Sequence, residues 1–168
     1  MTNEPSTVYP EREFQKELVE LISVLLTRKA VQHVIVERFG LDVGVFLGTP
    51  SSTRLRLFEV KTYGAQRSGG VGFGNREGVG PQVDLLLCEE SRLWLFDSSV
   101  RWAYADATQE PGTCRYGLLG CASIKRAAMG NAVTRGKQNN IRVSALRSSL
   151  VDWSRFTEQV GAFLLPAD

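Results

Sequence analysis

Histidine, cysteine and long apolar runs are scarce in this chain, and each scarcity excludes a class of protein. The 168 residues include one histidine and three cysteines, and Cys88, Cys114 and Cys121 follow no Cys-x-x-Cys spacing. Such a set predicts neither a disulfide framework nor a zinc site. No apolar run approaches the roughly 20 residues that cross a bilayer, and the polar start MTNEPSTVYPERE is unlike a secretory signal. We therefore expect a cytoplasmic protein without a membrane segment.

The overall composition is that of one globular domain. Hydrophobic residues make up 43% and charged residues 23% of the chain, a mixture that builds a single core at this length. We expect a flexible N-terminus over residues 1–9 and one α/β domain over residues 10–168.

Acidic residues are missing from a long stretch of the C-terminal half. Between Pro111 and Val151 there is no Asp or Glu, whereas the whole chain has a formal charge of only +2. A basic region held against an acidic body is typical of proteins that bind a polyanion such as nucleic acid. A solvated surface without a ligand is the alternative. The stretch has seven basic residues, which leaves −5 for the rest of the chain: Arg115, Lys125, Arg126, Arg135, Lys137, Arg142 and Arg147.

Hydrophobic periodicity predicts a helix that starts near Pro10 and is followed by three strands. Residues 31–36, 41–47 and 55–63 are typical of strands joined by short turns, which makes a meander. The helical spacing that predicts the first element is carried by Phe14, Leu18, Leu21, Ile22 and Leu25.

The rest of the chain is harder to interpret from its pattern. Seven of the seventeen residues from Gly64 to Gly80 are glycine, which predicts a loop. A final helix is predicted from the apolar spacing after Asp152, with Ser149 and Asp152 as a capping box. The pattern also predicts strands at 83–88, 92–96, 100–105 and 141–146 and a helix over 117–129.

Glu59 and Lys61 belong to the only Glu-x-Lys triplet in the chain. Residues two apart on a strand share a face, so the carboxylate and the amine lie together while Val60 points the other way. Asp42 opens the preceding strand, close enough across the meander for its carboxylate to meet that of Glu59. The sequence therefore predicts two carboxylates and an amine at one point of a sheet.

These groups suit a divalent cation and phosphoryl chemistry. Two carboxylates, from Asp42 and Glu59, and the carbonyl oxygen of Val60 form an all-oxygen site of the kind that Mg²⁺ or Mn²⁺ prefers. Such an ion binds a phosphate oxygen, lowers the pKa of a coordinated water and neutralises charge at phosphorus. Lys61 would orient that water, or act as its base if the pKa of the ammonium is depressed. The predicted chemistry is in-line hydrolysis of a phosphodiester.

The order of helix, meander, Asp42, Glu59 and Lys61 resembles the PD-(D/E)XK nucleases. The match covers about residues 10–88, and Leu41 stands where a proline often precedes the aspartate in that family. The resemblance implies a restriction-endonuclease-like mixed β-sheet flanked by helices, dependence on Mg²⁺, and cleavage of duplex or branched DNA. It also implies a homodimer, because one active site cuts one strand.

Two auxiliary residues follow from the same resemblance. Gln82 is similar to the glutamine that some members carry after the catalytic strand, and some members place a glutamate of the first helix near the metal. Glu11 is the first choice for that glutamate over Glu13 and Glu17, because it lies only about 40° from the centre of the apolar stripe. Solvated glutamates that favour the helix dipole are the alternative.

The predicted function is a Mg²⁺-dependent DNA endonuclease. A non-catalytic nucleic-acid-binding or assembly subunit that retains the fold is the alternative, and an interaction protein with an accidental Glu-x-Lys is a third possibility. The DNA contacts are expected from the glycine-rich segment and the acid-free stretch, at Arg67, Arg76, Lys125, Arg126, Arg135, Lys137 and Arg142.

Overall fold

A five-stranded sheet lies at the centre of the computed structural model. The structure describes residues 11–39, 41–49, 51–64, 71–75, 98–107, 114–129, 132–135 and 138–166. In chain order the elements are α1 (Glu11–Arg28), β1 (Gln32–Phe39), β2 (Leu41–Thr49), β3 (Ser52–Gly64), β4 (Val71–Asn75), β5 (Val100–Ala107), β6 (Arg115–Leu119), α2 (Cys121–Ala128), β7 (Ala132–Arg135), β8 (Gln138–Ile141), α3 (Val143–Leu146), a 3-10 turn (Arg147–Ser149) and α4 (Trp153–Leu164).

The strand order of the large sheet is β1-β2-β3-β5-β6. The first three strands form an antiparallel meander, β5 runs parallel to β3, and β6 runs antiparallel to β5. A second sheet has the order β4-β8-β7. The protein is therefore a mixed α/β protein whose five-stranded mixed sheet is flanked by helices.

Helices α1 and α4 cover one face of the large sheet. Phe14, Leu18, Ile22 and Leu26 recur every four residues along α1 and are fully buried, because side chains four apart share one side of a helix. They pack on strand residues that alternate inward and on apolar residues of α4: Val43, Val45, Phe58, Val60, Phe156 and Val160.

The acid-free stretch covers the opposite face of the sheet. Trp102 and Tyr104 of β5 pack there against Ile124 of α2, Ile141 of β8 and Leu146 of α3. These three elements all lie between Pro111 and Val151, so the basic part of the chain forms the layer on this side.

The same face carries Glu59 and Lys61 of β3. Leu57 and Tyr63 pack against the layer formed by the acid-free stretch, whereas Phe58 and Val60 are buried on the helical side. Since residues two apart on a strand share a face, Glu59 belongs with Leu57 and Tyr63. The basic layer and the predicted site therefore lie on one side of the sheet.

The periodicity correctly predicted α1, the meander, β5 and α4, but the predictions for three other segments were wrong. Residues 71–75 form β4 instead of a loop, because they pair with β8. The predicted helix over 117–129 begins only at Cys121, since Arg115–Leu119 pairs with β5. In the predicted strand over 141–146, only Ile141 is extended, and Val143–Leu146 is a helical turn.

Some predictions fall outside the described residues. These are the N-terminus over 1–9 and the strands at 83–88 and 92–96. The capping box of α4 is also corrected, because Ser149 belongs to the 3-10 turn and Asp152 alone is the N-cap.

Replacing the N-cap of α4 is expected to destabilise the protein. The carboxylate of Asp152 accepts a hydrogen bond from the backbone N–H of Arg155 at 2.8 Å, and losing such a cap costs about 1 kcal/mol. Asp152→Ala should therefore lower the melting temperature by about 2–4 °C. Asp152→Asn, which keeps the acceptor oxygen, is the matched control in the same thermal unfolding measurement. Equal melting temperatures for the two variants would contradict the assignment.

Candidate active site

Asp42, Glu59 and Lys61 meet where β2 and β3 run side by side. Val43 of β2 pairs with Phe58 of β3 in the antiparallel register. Asp42 and Glu59 are the next residues in the same direction, so they lie beside each other on the two strands. Both paired residues are buried on the helical side, which by alternation leaves the two carboxylates on the other face. The meander thus brings the three predicted residues together.

The ammonium group of Lys61 lies at the centre of this cluster. Its Nζ donates to Glu59 Oε1 at 2.6 Å and to the carbonyl oxygen of Val60 at 3.0 Å, and it lies 4.0 Å from Asp42 Oδ2. The three oxygen atoms that the sequence assigned to a metal ion therefore all face one cation. That cation is the lysine side chain itself.

Backbone and helix groups hold Asp42 in place. The N–H of Val60 donates to Asp42 Oδ2 at 2.7 Å, and Gln15 Nε2 of α1 donates to the Asp42 carbonyl oxygen at 3.4 Å. A hydrogen bond from a strand amide to a carboxylate is charge-assisted and fixes the position of the oxygen. Asp42 is consequently anchored to the strand that carries Glu59 and Lys61.

The cluster is open to solvent on the side of Asp42. The exposed fractions of the side chains are 30% for Asp42, 17% for Lys61 and 5% for Glu59. Glu59 therefore forms the floor of the site, and a ligand would approach past Asp42.

The pKa values of Glu59 and Lys61 are both raised by the combined effects of burial and neighbouring charges. Burial raises the pKa of Glu59, Lys61 opposes this, and the carboxylates of Asp42 and Glu11 raise it further. For Lys61 burial works to lower the pKa, but the carboxylates of Glu59, Glu11 and Asp42 outweigh it and leave the pKa raised. Lys61 is thus a protonated donor at neutral pH, and the general-base role, which needs a depressed pKa, is not supported.

Glu11 is the helix glutamate whose field reaches the cluster. It stands at the start of α1 and acts on both Glu59 and Lys61. By contrast, burial raises the pKa of the Cys114 thiol, and the charge of Glu17 adds to this shift. The charge of Glu11 therefore acts on the cluster, and its place beside a metal ion stays a prediction.

The donors available to a metal ion are few. Within the described ranges, no group of three or more His, Cys, Asp or Glu side chains is close enough to hold a metal ion. The remaining donor set is two carboxylates and the Val60 carbonyl, and oxygen donors of this kind fit Mg²⁺ or Mn²⁺. Because Lys61 Nζ bonds two of these oxygens, an ion would fit only after the ammonium has moved aside.

The predicted DNA-contacting residues are described only in part. Lys125 and Arg126 lie on α2 and Arg142 follows β8, all within the layer over the site-bearing face. Arg126 and Arg142 are exposed. Arg135 lies on β7 in a segment whose side chains are not described. The positions outside the described residues are Arg67, Arg76, Gln82 and Lys137.

Sequence reasoning did not place Trp102 and Tyr104 of β5 beside the site. Trp102 pairs with Glu59 and Tyr104 with Lys61 in the parallel register. The indole nitrogen of Trp102 and the hydroxyl of Tyr104 are buried, with no hydrogen-bond partner in the described structure. Burial and the nearby Asp106 raise the pKa of Tyr104. The spacing of Trp102 and Tyr104 in the sequence predicts that they share one face of a strand. The pairing of β3 with β5, which places them beside the site, is known only from the structure.

Comparisons with protein-family models, curated proteins and solved structures found no match to this chain. Among the described helices, none combines the length and apolar character needed to cross a bilayer. The class of protein is therefore defined by structure alone, as a mixed α/β protein with an ammonium and carboxylates clustered on its central sheet.

Removing the ammonium is expected to make stability depend on pH. In Lys61→Met the buried Glu59 carboxylate has no counter-charge, which costs about 3 kcal/mol for a broken buried pair. Because the folded-state pKa of Glu59 is raised above its unfolded value, stability is present at low pH and is lost as the carboxylate ionises. Urea unfolding should find Lys61→Met much less stable at about pH 8 than at about pH 5.

The double variant Lys61→Met/Glu59→Gln provides the control for this measurement. It removes the uncompensated charge and should flatten the pH dependence. A single variant that is equally stable at both pH values would contradict the electrostatic interpretation.

Proposed function

We propose that this protein is a Mg²⁺-dependent DNA endonuclease of the PD-(D/E)XK type, with a restriction-endonuclease-like fold. The observation that carries the proposal is the convergence of Asp42 Oδ2, Glu59 Oε1 and the Val60 carbonyl oxygen on one cation position. The order of α1, meander, aspartate on β2 and Glu-x-Lys on β3 supports it.

The site residues have two different roles in the proposed chemistry. Asp42, Glu59 and Val60 would hold Mg²⁺ or Mn²⁺, which supplies Lewis-acid activation and charge neutralisation when bound. Since the carboxylates keep Lys61 protonated, its role is to donate a hydrogen bond to the attacking water or to a phosphate oxygen. A donor placed where negative charge develops stabilises the transition state.

The charge distribution supports a nucleic-acid substrate. The carboxylates that would hold the ion lie on the sheet, and the acid-free layer lies over the same face. Exposed cations there, among them Arg126 and Arg142, can neutralise phosphates while the carboxylates retain the metal. Duplex or branched DNA is the substrate class that we infer.

A non-catalytic nucleic-acid-binding or assembly subunit is the second candidate. It is favoured by the position of Lys61 Nζ, 2.6 Å from Glu59 Oε1, where the ammonium already satisfies the oxygens that a metal ion would use. In that case the cluster would serve stability alone, and DNA binding would persist without turnover.

A cleavage assay distinguishes the two candidates. Plasmid, duplex and four-way-junction DNA should be nicked or cut in Mg²⁺ or Mn²⁺ and spared in EDTA. Asp42→Asn, Glu59→Ala and Lys61→Ala should each lower the rate at least about 100-fold, as the loss of one charge-stabilising group does, while DNA binding is largely retained. Glu158→Gln, on the exposed side of α4, is the control and should cut normally. DNA binding by the unaltered protein without cleavage in either metal would favour the second candidate.

Salt dependence tests the role of the basic layer. If about four of its charges neutralise phosphates, log K should fall with log salt at a slope of roughly −3.6. Lys125→Gln and Arg126→Gln should each make the slope shallower by about 0.9. Lys29→Gln, in the turn that follows α1, is the matched control and should leave the slope unchanged. Equal slopes for all variants would exclude α2 from the DNA interface.

A further inference from the structure

Arg38 holds a backbone conformation that residues other than glycine rarely adopt. Its φ is 60°, in the left-handed region, near the end of β1. The corners of short hairpins need positive φ, and glycine, asparagine and aspartate meet that need with the least strain. An arginine there is strained, because its Cβ crowds the backbone. The guanidinium group therefore stands at a position where the backbone alone would favour a smaller residue.

The position of Arg38 in the hairpin places it beside the candidate active site. Counted through the register of β1 with β2, Arg38 stands opposite Asp42. The pairs on either side of it are Glu37 with Val43 and Phe39 with Leu41. Residues opposed in this way have Cβ atoms about 5 Å apart. Arg38 is therefore a cross-strand neighbour of the carboxylate past which a ligand would approach.

Arg38 also belongs to the side of the sheet that carries the cluster. Ile35 packs into the core beneath the helices, and Glu37 accepts a hydrogen bond from Gln15 of α1 at 3.0 Å. Since side chains alternate along a strand, Arg38 follows on the opposite side. That side is the one on which the carboxylate of Asp42 lies.

The guanidinium group of Arg38 is available to a ligand. Arg38 is exposed, and within the described residues its side chain makes no hydrogen bond or ion pair. By contrast, Lys61 contacts Glu59, and Arg155 contacts Glu158. A guanidinium group matches the oxygens of a phosphate and can contact two of them at once. This cation beside the site therefore suits a phosphate group of a bound strand.

We propose that Arg38 binds a phosphate of the DNA strand that enters the site, next to the phosphate that the metal ion would contact. The inference deepens the proposed function and rests on its DNA-binding part. Asp42 and Glu59 would attract the metal ion but repel the phosphates of the substrate, and a cation at the entrance offsets that repulsion. The strained arginine is then retained for a contact that forms in the complex.

Binding of labelled duplex DNA in EDTA tests this inference without cleavage, by fluorescence anisotropy over a series of salt concentrations. Arg38→Gly and Arg38→Asn remove the cation and introduce residues that tolerate positive φ. Each should raise the dissociation constant about tenfold, as the loss of a hydrogen bond to a charged group does, and make the salt slope shallower by about 0.9. Arg38→Lys keeps the charge without the bidentate geometry, so it should keep the slope and bind with intermediate affinity.

Ala30→Gly is the matched control for the backbone. Ala30 follows α1, has a φ of 53° and carries no charge. Both Ala30→Gly and Arg38→Gly should raise the melting temperature by about 2 °C, because glycine relieves the strain of the left-handed conformation. Of these two variants, only Arg38→Gly should weaken DNA binding. A more stable protein with a lower affinity for DNA is the result expected for a residue retained for its contact.

The outcomes separate this inference from the proposed function. Dissociation constants and salt slopes of Arg38→Gly and Arg38→Asn that equal those of the unaltered protein would overturn the inference, and cleavage by the unaltered protein would leave the proposed function intact. Weaker binding by these variants, with no cleavage by the unaltered protein in Mg²⁺ or Mn²⁺, would support the contact and contradict the nuclease. An unaltered protein that binds no DNA would overturn both.

Discussion

The ammonium of Lys61 faces oxygens of Glu59, Val60 and Asp42 at once. The arrangement of the candidate site depends on these contacts. Glu59 is 5% exposed, and an ionised carboxylate at that depth is costly unless a counter-charge is in contact with it. The ion pair of 2.6 Å provides the counter-charge, and the amide of Val60 fixes Asp42 beside it. The interactions that stabilise the sheet here also define a position where several oxygens face a cation.

The charges of the molecule are separated by the layers of the fold. The carboxylates of Asp42 and Glu59 lie together on the meander, the charge of Glu11 acts on Glu59 from α1, and the acid-free stretch packs over the same face through α2, β8 and α3. The proposed substrate, a polyanion, would be attracted by the basic layer, and the carboxylates would hold the proposed metal ion. The raised pKa of Lys61 has a related cause, because the carboxylates of Glu59, Glu11 and Asp42 act on its ammonium.

Elements that the sequence did not predict have non-local causes. The glycines of β4 weaken strand propensity, and the strand exists because β8, far along the chain, pairs with it. Residues 115–119 are extended because β5 lies on one side of them and Val151 on the other. By contrast, α1 and the meander were predictable, because their apolar residues repeat at helical or strand spacing within short segments of the sequence.

The sequence by itself determined that Asp42, Glu59 and Lys61 would share a face, because alternation along a strand and a short meander leave little other choice. It also determined that one stretch with seven cations would lack acidic residues. Only the tertiary structure decided how deeply Glu59 is buried, that Lys61 stays protonated, and that the basic stretch covers the same side of the sheet. Burial, pKa and the choice of face depend on contacts between segments far apart in the chain, and no local spacing encodes them.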